Sequence, residues 1–564
     1  MYIKSRWSIP IPQVDLPTYL FTSPSAPLPE KPLLISANDP THYLTHSTYR
    51  LYSQRLALGL QRAGLQPGDR VLLFSGNSIF FPVVLMGVIM AGGIFTGANP
   101  GYVARELAYQ LQDSGATFLI TAEASLATAL EAADAVGMRH DRIFVFNDNE
   151  TDEASGPNVQ QDRPKGVRHW SHLLAPASSA RTFAWEALTT PSQTSRTIAL
   201  NYSSGTTGPP KGVEITHHNY VSNTAQTVAL ARLAPDFEAM NARARWLCFL
   251  PMYHAMAQTI FCVAAPLRGI PVYVMPKFDF LGMLEAVQKF RITDLILVPP
   301  VVVALAKHPA ARKFDLSSVE RVGSGAAPLG REVCEELERL WPPGKINVKQ
   351  GWGMTEGTCT VLSWNPEERS ESFSVGELVA NCEARLVDDN GNEVGPGERG
   401  ELWVRAPNVM KGYWKRPEAT RETVTPDGWL KTGDIAYVDA QGKFFIVDRK
   451  KELIKVKGNQ VAPAELEALL LEHPAVADAA VIGVTINGEE LPRAYIVLKQ
   501  GTQATEKEIQ DFMKGKVSRT KRLDGGVRFV DVIPKNPSGK ILRKMLREQA
   551  KAEVGDSEAR AVKL

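Results

Sequence analysis

The chain has 564 residues, with 63 lysines and arginines against 61 aspartates and glutamates, which gives a formal net charge of +2. Its hydrophobic fraction of 44% and charged fraction of 22% are typical of a globular protein with two large domains or several small ones. The near-neutral charge argues against a nucleic-acid binder, which needs a concentrated basic surface. The five cysteines form no CxxC pair, so a disulfide scaffold and a zinc ribbon are excluded and reduced intracellular thiols are expected.

The first 380 residues alternate apolar, strand-like runs with amphipathic stretches such as 49–63 and 281–290. Short buried runs separated by helices predict parallel sheets with helices on both faces, and therefore an α/β fold. The polar segment 147–181 is interpreted as a surface insertion. The strand-like runs are RVLLFSG (70–76), ATFLITA (116–122), RIFVFN (142–147), RTIALNYSSG (196–205), PVYVMP (271–276) and DLILVPP (294–300).

One long apolar stretch needs an explanation, because no charged residue stands between Arg70 and Arg105. A membrane span needs about 20 predominantly apolar residues, and here Pro82, Gly87 and Gly92 interrupt a shorter run. We therefore predict a helix buried in an α/β domain. The N-terminus lacks the apolar segment of a secretory signal. The final Val-Lys-Leu is a near match to the peroxisomal Ser-Lys-Leu signal, so a cytoplasmic or peroxisomal location is expected.

After about residue 383, the alternation of strand-like and helical runs gives way to short strands separated by turns. Turn signals such as Asp-Asn-Gly and Gly-Pro-Gly separate short strands and predict an antiparallel β subdomain over about 383–447. Beyond Asp448 follow a charged segment, a helix over Pro463–Leu471, the β run AVADAAVIGV and a basic helix. The chain is therefore predicted to consist of a large domain, 1–447, and a small α+β domain, 448–564.

A glycine- and hydroxyl-rich turn, YSSGTTGPPKGV (202–213), follows a predicted strand. Glycines present backbone N–H groups to an anion, hydroxyls add donors and Lys211 adds charge, so the turn suits a polyphosphate. It is not a Walker A motif. The alternative is a flexible turn, but a lysine behind Pro209-Pro210 favours phosphate binding. The segment VGSGAAPLG (322–330) has Pro328 in place of a third glycine and is not interpreted as a nicotinamide site.

Six segments occur in an order that resembles the acyl-adenylate-forming superfamily, and most closely 4-coumarate–CoA ligases and fungal-type acyl-CoA ligases. They are YSSGTTGPPKGV, LPMYHAMA (250–257), QGWGMTE (350–356), GWLKTGD (428–434), DRKKELIKVKGNQVAPAELE (448–467) and PKNPSGKILRK (534–544). The resemblance covers essentially the whole chain. It implies that a carboxylic acid reacts with Mg-ATP to give acyl-AMP and pyrophosphate, after which coenzyme A displaces AMP.

The resemblance also implies roles for particular residues, with a hinge at Asp448 about which the C-terminal domain rotates between the two steps. Lys540 is expected to catalyse adenylation, His254 to gate the acyl site and Glu356 to hold Mg²⁺. Lys277, Lys457 and Gly458 are expected to contact coenzyme A. The expected ATP and AMP contacts are Ser203, Ser204, Gly205, Thr206, Thr207, Gly208, Lys211, Gln350, Gly351, Thr355, Asp434, Arg449, Lys451, Lys455 and Lys540.

The acyl pocket is expected to contain His254, Met256, Ile260, Gly325, Ala326 and Trp352. Coumarate ligases commonly have a tyrosine and a serine where this chain has Met256 and Ile260. A hydroxyl partner for a phenol is therefore missing, which favours an aliphatic or unsubstituted aryl acid. The remaining histidines His169, His172, His217 and His218 lack metal-ligand neighbours and are interpreted as surface residues.

Other functions remain to be weighed against this one. An amino-acid adenylation domain that loads a carrier protein needs an acidic residue for the substrate ammonium, and 249–265 contains none. A luciferase-like oxygenase stays open, because that activity reuses the same motifs. A transporter would need more than one credible membrane span, and the sequence has none. A catalytically dead binding protein would need a broken motif, and all six motifs are intact.

Overall fold

The computed structural model describes residues 1–148, 164, 166–203, 209–456, 459–486, 489–536 and 539–561, with side chains up to 553. Two large, mainly parallel sheets form the first part of the chain, as the alternating pattern predicted. In spatial order, one contains Gly412–Tyr413, Lys211–Thr216, Thr197–Ser203, Ile94–Ala98, Arg70–Phe74, Ala116–Ala122, Ile143–Phe146 and Arg168–His169. The other contains Lys349–Gln350, Arg321–Ser324, Asp294–Leu297, Trp246–Cys248, Val272–Val274, Pro32–Ser36 and Tyr43–Thr45.

Helices cover these sheets and share one large hydrophobic core with them. The apolar segment that resembled a membrane span is the helix Phe81–Met90, whose ten residues are all buried. Among the described residues, no helix is long and apolar enough to cross a membrane. The other α-helices of this part are Leu16–Phe21, His46–Arg62, Ala104–Ser114, Leu126–Ala135, Ala177–Ala180, Pro191–Thr194, His217–Ala231, Phe237–Arg243, Ala255–Ala257, Ala265–Leu267, Phe280–Phe290, Pro299–Lys307, Arg331–Glu338 and Pro417–Thr423.

The interpretation of 147–181 as a surface insertion is wrong for its second half. Trp170 is fully buried and contacts Phe80 and Phe146 in edge-to-face geometry. The segment packs this way because Gly59 has no side chain: a Cβ there would lie 1.7 Å from the carbonyl oxygen of Leu173. Residues 149–163 and 165 of the predicted insertion lie outside the described residues.

Two of the four histidines interpreted as surface residues are also buried. His217 accepts a hydrogen bond from the Leu16 N–H, and burial lowers its pKa to about 3. His169 is fully buried and hydrogen-bonds Ser171 and Asn147. Both buried histidines form hydrogen bonds with polar groups in the core, which no local sequence pattern predicts. The other two agree better with the prediction, since His172 is exposed and His218 is partly exposed.

The predicted antiparallel subdomain is present, and it contains an additional strand from the N-terminus. In spatial order the sheet consists of Tyr2–Lys4, Glu383–Val387, Gly400–Arg405, Leu430–Val438 and Phe444–Arg449. A smaller sheet contains Trp352–Gly353, Thr360–Ser363 and Glu377–Leu378. The N-terminal strand was missed because its partner lies about 380 residues away.

The last part of the chain has hydrophobic clusters of its own between Ile454 and Ala550. Its strands are Ile454–Val456, Asn459–Val461, Val476–Ile486, Glu489–Leu498 and Val527–Phe529, and its helices are Pro463–Leu471, Glu506–Lys514 and Arg543–Ala561. The buried Glu467 carboxylate accepts two 2.7 Å hydrogen bonds from Arg543, which join helix to helix. The predicted multi-domain α/β class is confirmed, while a boundary at residue 448 stays a prediction.

Candidate active site

The hydroxyl-rich turn lies between two antiparallel strands. Ser203 ends one strand, Lys211 begins the next, and the two residues are register partners. Residues 204–208, including the predicted phosphate ligands Ser204, Gly205, Thr206, Thr207 and Gly208, lie outside the described residues. The Lys211 ammonium lies 4.3 Å from the centre of the Tyr413 ring, a cation–π contact that fixes its direction.

Tyr413 also reaches the predicted magnesium ligand. Its hydroxyl donates a 2.9 Å hydrogen bond to Glu356 Oε1, and the Glu356 backbone oxygen accepts from the Met410 N–H. Burial and the neighbouring Glu356 carboxylate raise the pKa of Tyr413 well above its usual value. Thr355 and Glu356 begin a single 3₁₀ turn, Thr355–Gly357. Tyr413, which the sequence analysis missed, therefore links the lysine at the turn to this carboxylate.

A buried carboxylate lies on the adjoining antiparallel sheet. Asp434 and Arg449 are register partners on neighbouring strands, and Arg449 Nε lies 3.2 Å from Asp434 Oδ1. The other oxygen, Oδ2, accepts a 2.9 Å hydrogen bond from Trp352 Nε1. Asp434 Oδ1 is buried without any hydrogen bond of good geometry. Burial raises the pKa of Asp434, and Arg449 counteracts part of that rise.

Lys540 reaches the same region from the C-terminal part of the chain. Its backbone is held by Asn536, whose side chain accepts from the Lys540 N–H at 2.8 Å and whose N–H donates to the Lys540 carbonyl. Burial, followed by the repulsion of Arg449, lowers the pKa of Lys540 to about 8, against the attraction of Asp434. With the described residues, its ammonium forms neither a hydrogen bond nor an ion pair.

Close packing at Gly539 brings Lys540 to this position. Gly539 has a left-handed φ of 82°, and a Cβ added there would lie 2.8 Å from Pro300 Cδ. Nearby, the Lys307 ammonium donates a 2.8 Å hydrogen bond to the Leu471 carbonyl at the end of the helix Pro463–Leu471. These contacts dock the C-terminal part against the helix Pro299–Lys307.

His254 precedes an irregular helix. The short helix Ala255–Ala257 continues as a π-helix over Gln258–Ala264, a form that is rare and often found at functional sites. Burial, with a smaller contribution from Lys540, lowers the pKa of His254 to about 4, so the imidazole is neutral at pH 7. His254 and Thr355 line one small cavity.

The residues predicted for the acyl pocket are only partly brought together. A Cβ at Gly325 would lie 3.5 Å from Met256 Cε, so the thioether packs directly over this glycine. Met256, Ile260 and Trp352 are partly buried against the large core. Ala326 is exposed and has a left-handed φ of 72°, which is strained for a residue with a side chain. Trp352 contacts Asp434 as well.

The other predicted contacts are placed as follows. The Gln350 amide both accepts from and donates to the backbone of Leu329, and the Gly351 N–H donates to Ser324. Both therefore position the loop that carries Gly325. Lys277, Lys451 and Lys455 are exposed. Lys457 and Gly458 lie outside the described residues.

This combination of a layered α/β domain, a C-terminal part carrying a partly buried lysine, and a buried aspartate paired with an arginine is that of an adenylate-forming enzyme. A family model described as AMP-binding enzyme matches residues 22–414, and one described as AMP-binding enzyme C-terminal domain matches 465–540. The chain belongs to the AMP-binding enzyme family.

Similar proteins cover nearly the whole length of the chain. It is 36% identical over 557 residues to phenylacetyl-CoA ligase epaB of Aspergillus niger, covering 97% of this chain and 99% of that protein. It is 38% identical over 554 residues to 4-coumarate–CoA ligase 2 of Petroselinum crispum, covering 96% and 95%. The crystal structure of ATP-bound MatB from Rhodopseudomonas palustris superposes with a TM-score of 0.78 at 26% identity, covering 95% and 99%. The predicted superfamily and the activity of an AMP-forming acid–thiol ligase are confirmed.

Proposed function

We propose that this ligase activates a hydrophobic carboxylic acid, with Lys540 catalysing acyl-AMP formation. The observation that carries the proposal is the Lys540 ammonium, partly buried near Asp434 and Arg449 and without a hydrogen bond or ion pair to the described residues. Negative charge develops on the α-phosphate and on the departing pyrophosphate. A fixed cation stabilises that charge more than it stabilises the ground state.

The nucleotide is proposed to bind between Asp434 and the hydroxyl-rich turn. The buried Asp434 Oδ1 lacks a hydrogen bond, which suits an acceptor for a ribose hydroxyl. Arg449 adds guanidinium donors beside it. Ser203 and Lys211 flank the turn that would receive the phosphates, and Thr355 would border the α-phosphate.

Magnesium is proposed to enter with the nucleotide phosphates and to bind Glu356. Tyr413 occupies only Oε1 of this carboxylate, and no group of three or more metal-ligating side chains occurs within the described part of the chain. That donor set suits Mg²⁺, which keeps several waters and takes few protein oxygens. The ion would supply charge neutralisation at the phosphates, while Tyr413 orients the carboxylate.

The acid is proposed to be aliphatic or an aryl acid without a phenol. Met256 packs over Gly325 and offers a polarisable apolar surface in place of a hydroxyl. The two relatives described above are named for phenylacetate and 4-coumarate. The missing hydroxyl partner favours the apolar type of acid for this chain.

Coenzyme A is the proposed acceptor, rather than a carrier protein, since those relatives are CoA ligases. Lys277, Lys457 and Gly458 are proposed to contact it. Lys451 and Lys455 are proposed to contact AMP after the C-terminal domain rotates about Asp448. Peroxisomal import through the last three residues, 562–564, is part of this proposal, although they lie outside the described residues.

The test separates the two half-reactions in Lys540→Ala, with Lys544→Ala as the matched control because Lys544 is exposed on the following helix. Lys540→Ala should abolish pyrophosphate release, while thioester formation from supplied acyl-AMP and coenzyme A changes far less. An equal loss in both half-reactions would refute the assigned role. Pyrophosphate release across aliphatic, benzoic, phenylacetic and hydroxycinnamic acids tests the substrate class, and a preference for the hydroxycinnamic acids would contradict it.

A further inference from the structure

An open cavity of about 370 Å³ lies on the large eight-stranded sheet, and none of its lining residues belongs to the candidate active site. Its lining includes Arg62, Arg142, Arg168 and His172, together with the ring of Phe118. Three of these polar residues, Arg62, Arg168 and His172, are exposed to solvent, and Arg142 is partly exposed. The cavity therefore concentrates guanidinium groups in a concave surface that a small molecule can enter.

The cavity lies at the opposite edge of the sheet from the phosphate turn. The strands Thr197–Ser203, Ile94–Ala98, Arg70–Phe74, Ala116–Ala122, Ile143–Phe146 and Arg168–His169 are parallel neighbours in succession. Ser203 lies at the carboxyl end of its strand. Arg142 immediately precedes the strand Ile143–Phe146, and Arg168 begins the strand Arg168–His169, so both lie at the amino ends of their strands. A ligand in the cavity would therefore not compete with the nucleotide.

The arginines of this cavity are not neutralised by acidic residues. Among the described residues, none of Arg62, Arg142 and Arg168 forms an ion pair, and Arg62 has no hydrogen bond either. Asp141 is the one carboxylate among the described lining residues. It is bound on both oxygens by Arg139, with Arg139 Nε donating to Oδ1 at 3.0 Å. An excess of positive charge therefore remains.

Two of the guanidinium groups are held in place without losing their charge. Arg142 donates a 2.8 Å hydrogen bond to the Ala63 carbonyl, and its guanidinium carbon lies 4.6 Å from the centre of the Phe118 ring. Arg168 donates to the Asp141 carbonyl at 3.2 Å and lies 5.0 Å from the centre of the Phe144 ring. Neutral partners orient these cations and leave other N–H donors for a ligand, so little side-chain freedom would be lost on binding.

We propose that this cavity binds a phosphate group, either of a small phosphorylated metabolite or of a phospholipid headgroup. Guanidinium groups bind phosphate oxygens through paired, charge-assisted hydrogen bonds, and a dianion gains more from several cations than a single carboxylate does. The exposed His172 adds a further donor when protonated. Binding here goes beyond the ligase reaction and is independent of it.

The experiment is a calorimetric titration of the full chain with inorganic phosphate, in a background of Lys211→Gln to weaken binding at the phosphate turn. The cavity variants are Arg62→Gln and Arg142→Gln. The matched control is Arg196→Gln, an exposed arginine paired with Glu186. Arg62 forms no hydrogen bond or ion pair with the described residues, so Arg62→Gln should fold as its parent does, and circular dichroism of each variant checks this.

We expect saturable phosphate binding that weakens at least tenfold in both cavity variants and is unchanged in Arg196→Gln. Pyrophosphate release by the ligase reaction should be unaffected when Arg62→Gln is placed in the otherwise native chain. Co-sedimentation with phosphatidylcholine vesicles, with and without phosphatidic acid, separates the sources. If the chain sediments with vesicles that contain phosphatidic acid and the cavity arginines are required, the ligand is a phospholipid headgroup. If the chain binds inorganic phosphate but does not sediment with these vesicles, the ligand is a soluble phosphorylated metabolite. Equal affinity in Arg62→Gln, Arg142→Gln and their parent, or no phosphate binding at all, would overturn the proposal.

Discussion

Replacing Lys540 by methionine should remove a burial cost that the native chain carries at neutral pH. The pKa of Lys540 is lowered from 10.5 to about 8. A displacement of about 2.5 pKa units at 1.36 kcal/mol each gives about 3 kcal/mol, by which the charged side chain destabilises the folded, docked state. Methionine has a similar length and no charge, so it retains packing while it eliminates this term.

The stability difference between Lys540→Met and the native chain should change with pH in one direction. Below pH 8, Lys540 is protonated in both the folded and the unfolded chain, and the full cost is present. Between pH 8 and 10.5 the unfolded chain binds more protons than the folded one, so the stability contributed by this residue rises with pH. The stability advantage of Lys540→Met over the native chain should therefore shrink by about 2.5 kcal/mol from pH 7 to pH 10.

Urea unfolding of both proteins at several pH values measures this difference, and the titrations of groups that Lys540 does not perturb cancel in the comparison. Far-UV circular dichroism follows unfolding of the whole chain, because all 10 tryptophans lie at or before Trp429 and tryptophan fluorescence would not detect unfolding of the C-terminal part. A difference in stability that is constant from pH 7 to pH 10 would refute the lowered pKa of this lysine.

Three further substitutions test contacts described above. Tyr413→Phe should lower the free energy of unfolding by about 1.5–3 kcal/mol, because it leaves the buried Glu356 carboxylate without its hydrogen bond; an unchanged midpoint in urea would contradict this. Glu467→Gln should lower the free energy of unfolding by about 3–5 kcal/mol, since the buried Arg543 then loses its ion pair and keeps its hydrogen bond to the Val481 carbonyl, and thermal unfolding that matches the native chain would disprove it. Gly59→Ala should destabilise the chain through the Leu173 carbonyl by about 1–3 kcal/mol; a gain of about 1 kcal/mol, as helix propensity alone predicts, would be the opposite result.

The sequence alone was sufficient for features that depend on local periodicity or on ordered motifs. The strand Ala116–Ala122 and the helix Pro463–Leu471 have the predicted bounds. Both consist of short apolar runs between turn residues, where hydrophobic burial and local geometry agree. The layered α/β fold follows from the same alternation.

Features that depend on pairing between distant segments could not be predicted. The Trp352–Asp434 hydrogen bond joins residues 82 positions apart, and Tyr413 reaches Glu356 from a strand edge that carries no motif. The polar neighbours of Trp170 predict a surface position, yet the glycine at position 59 opens the space that buries it. Such contacts arise from tertiary packing, to which a pattern of residue types along one chain is insensitive.

The glycine next to Lys540, the proposed catalytic lysine, sets how closely the two halves of the molecule approach. Any side chain at position 539 would meet the Pro300 ring and would also strain a left-handed backbone. A bulky residue there would act as a spacer that keeps the ammonium out of reach of ATP while leaving both folded halves intact. Position 539 is thus a natural place to convert the enzyme into one that consumes ready-made acyl adenylates but does not manufacture them.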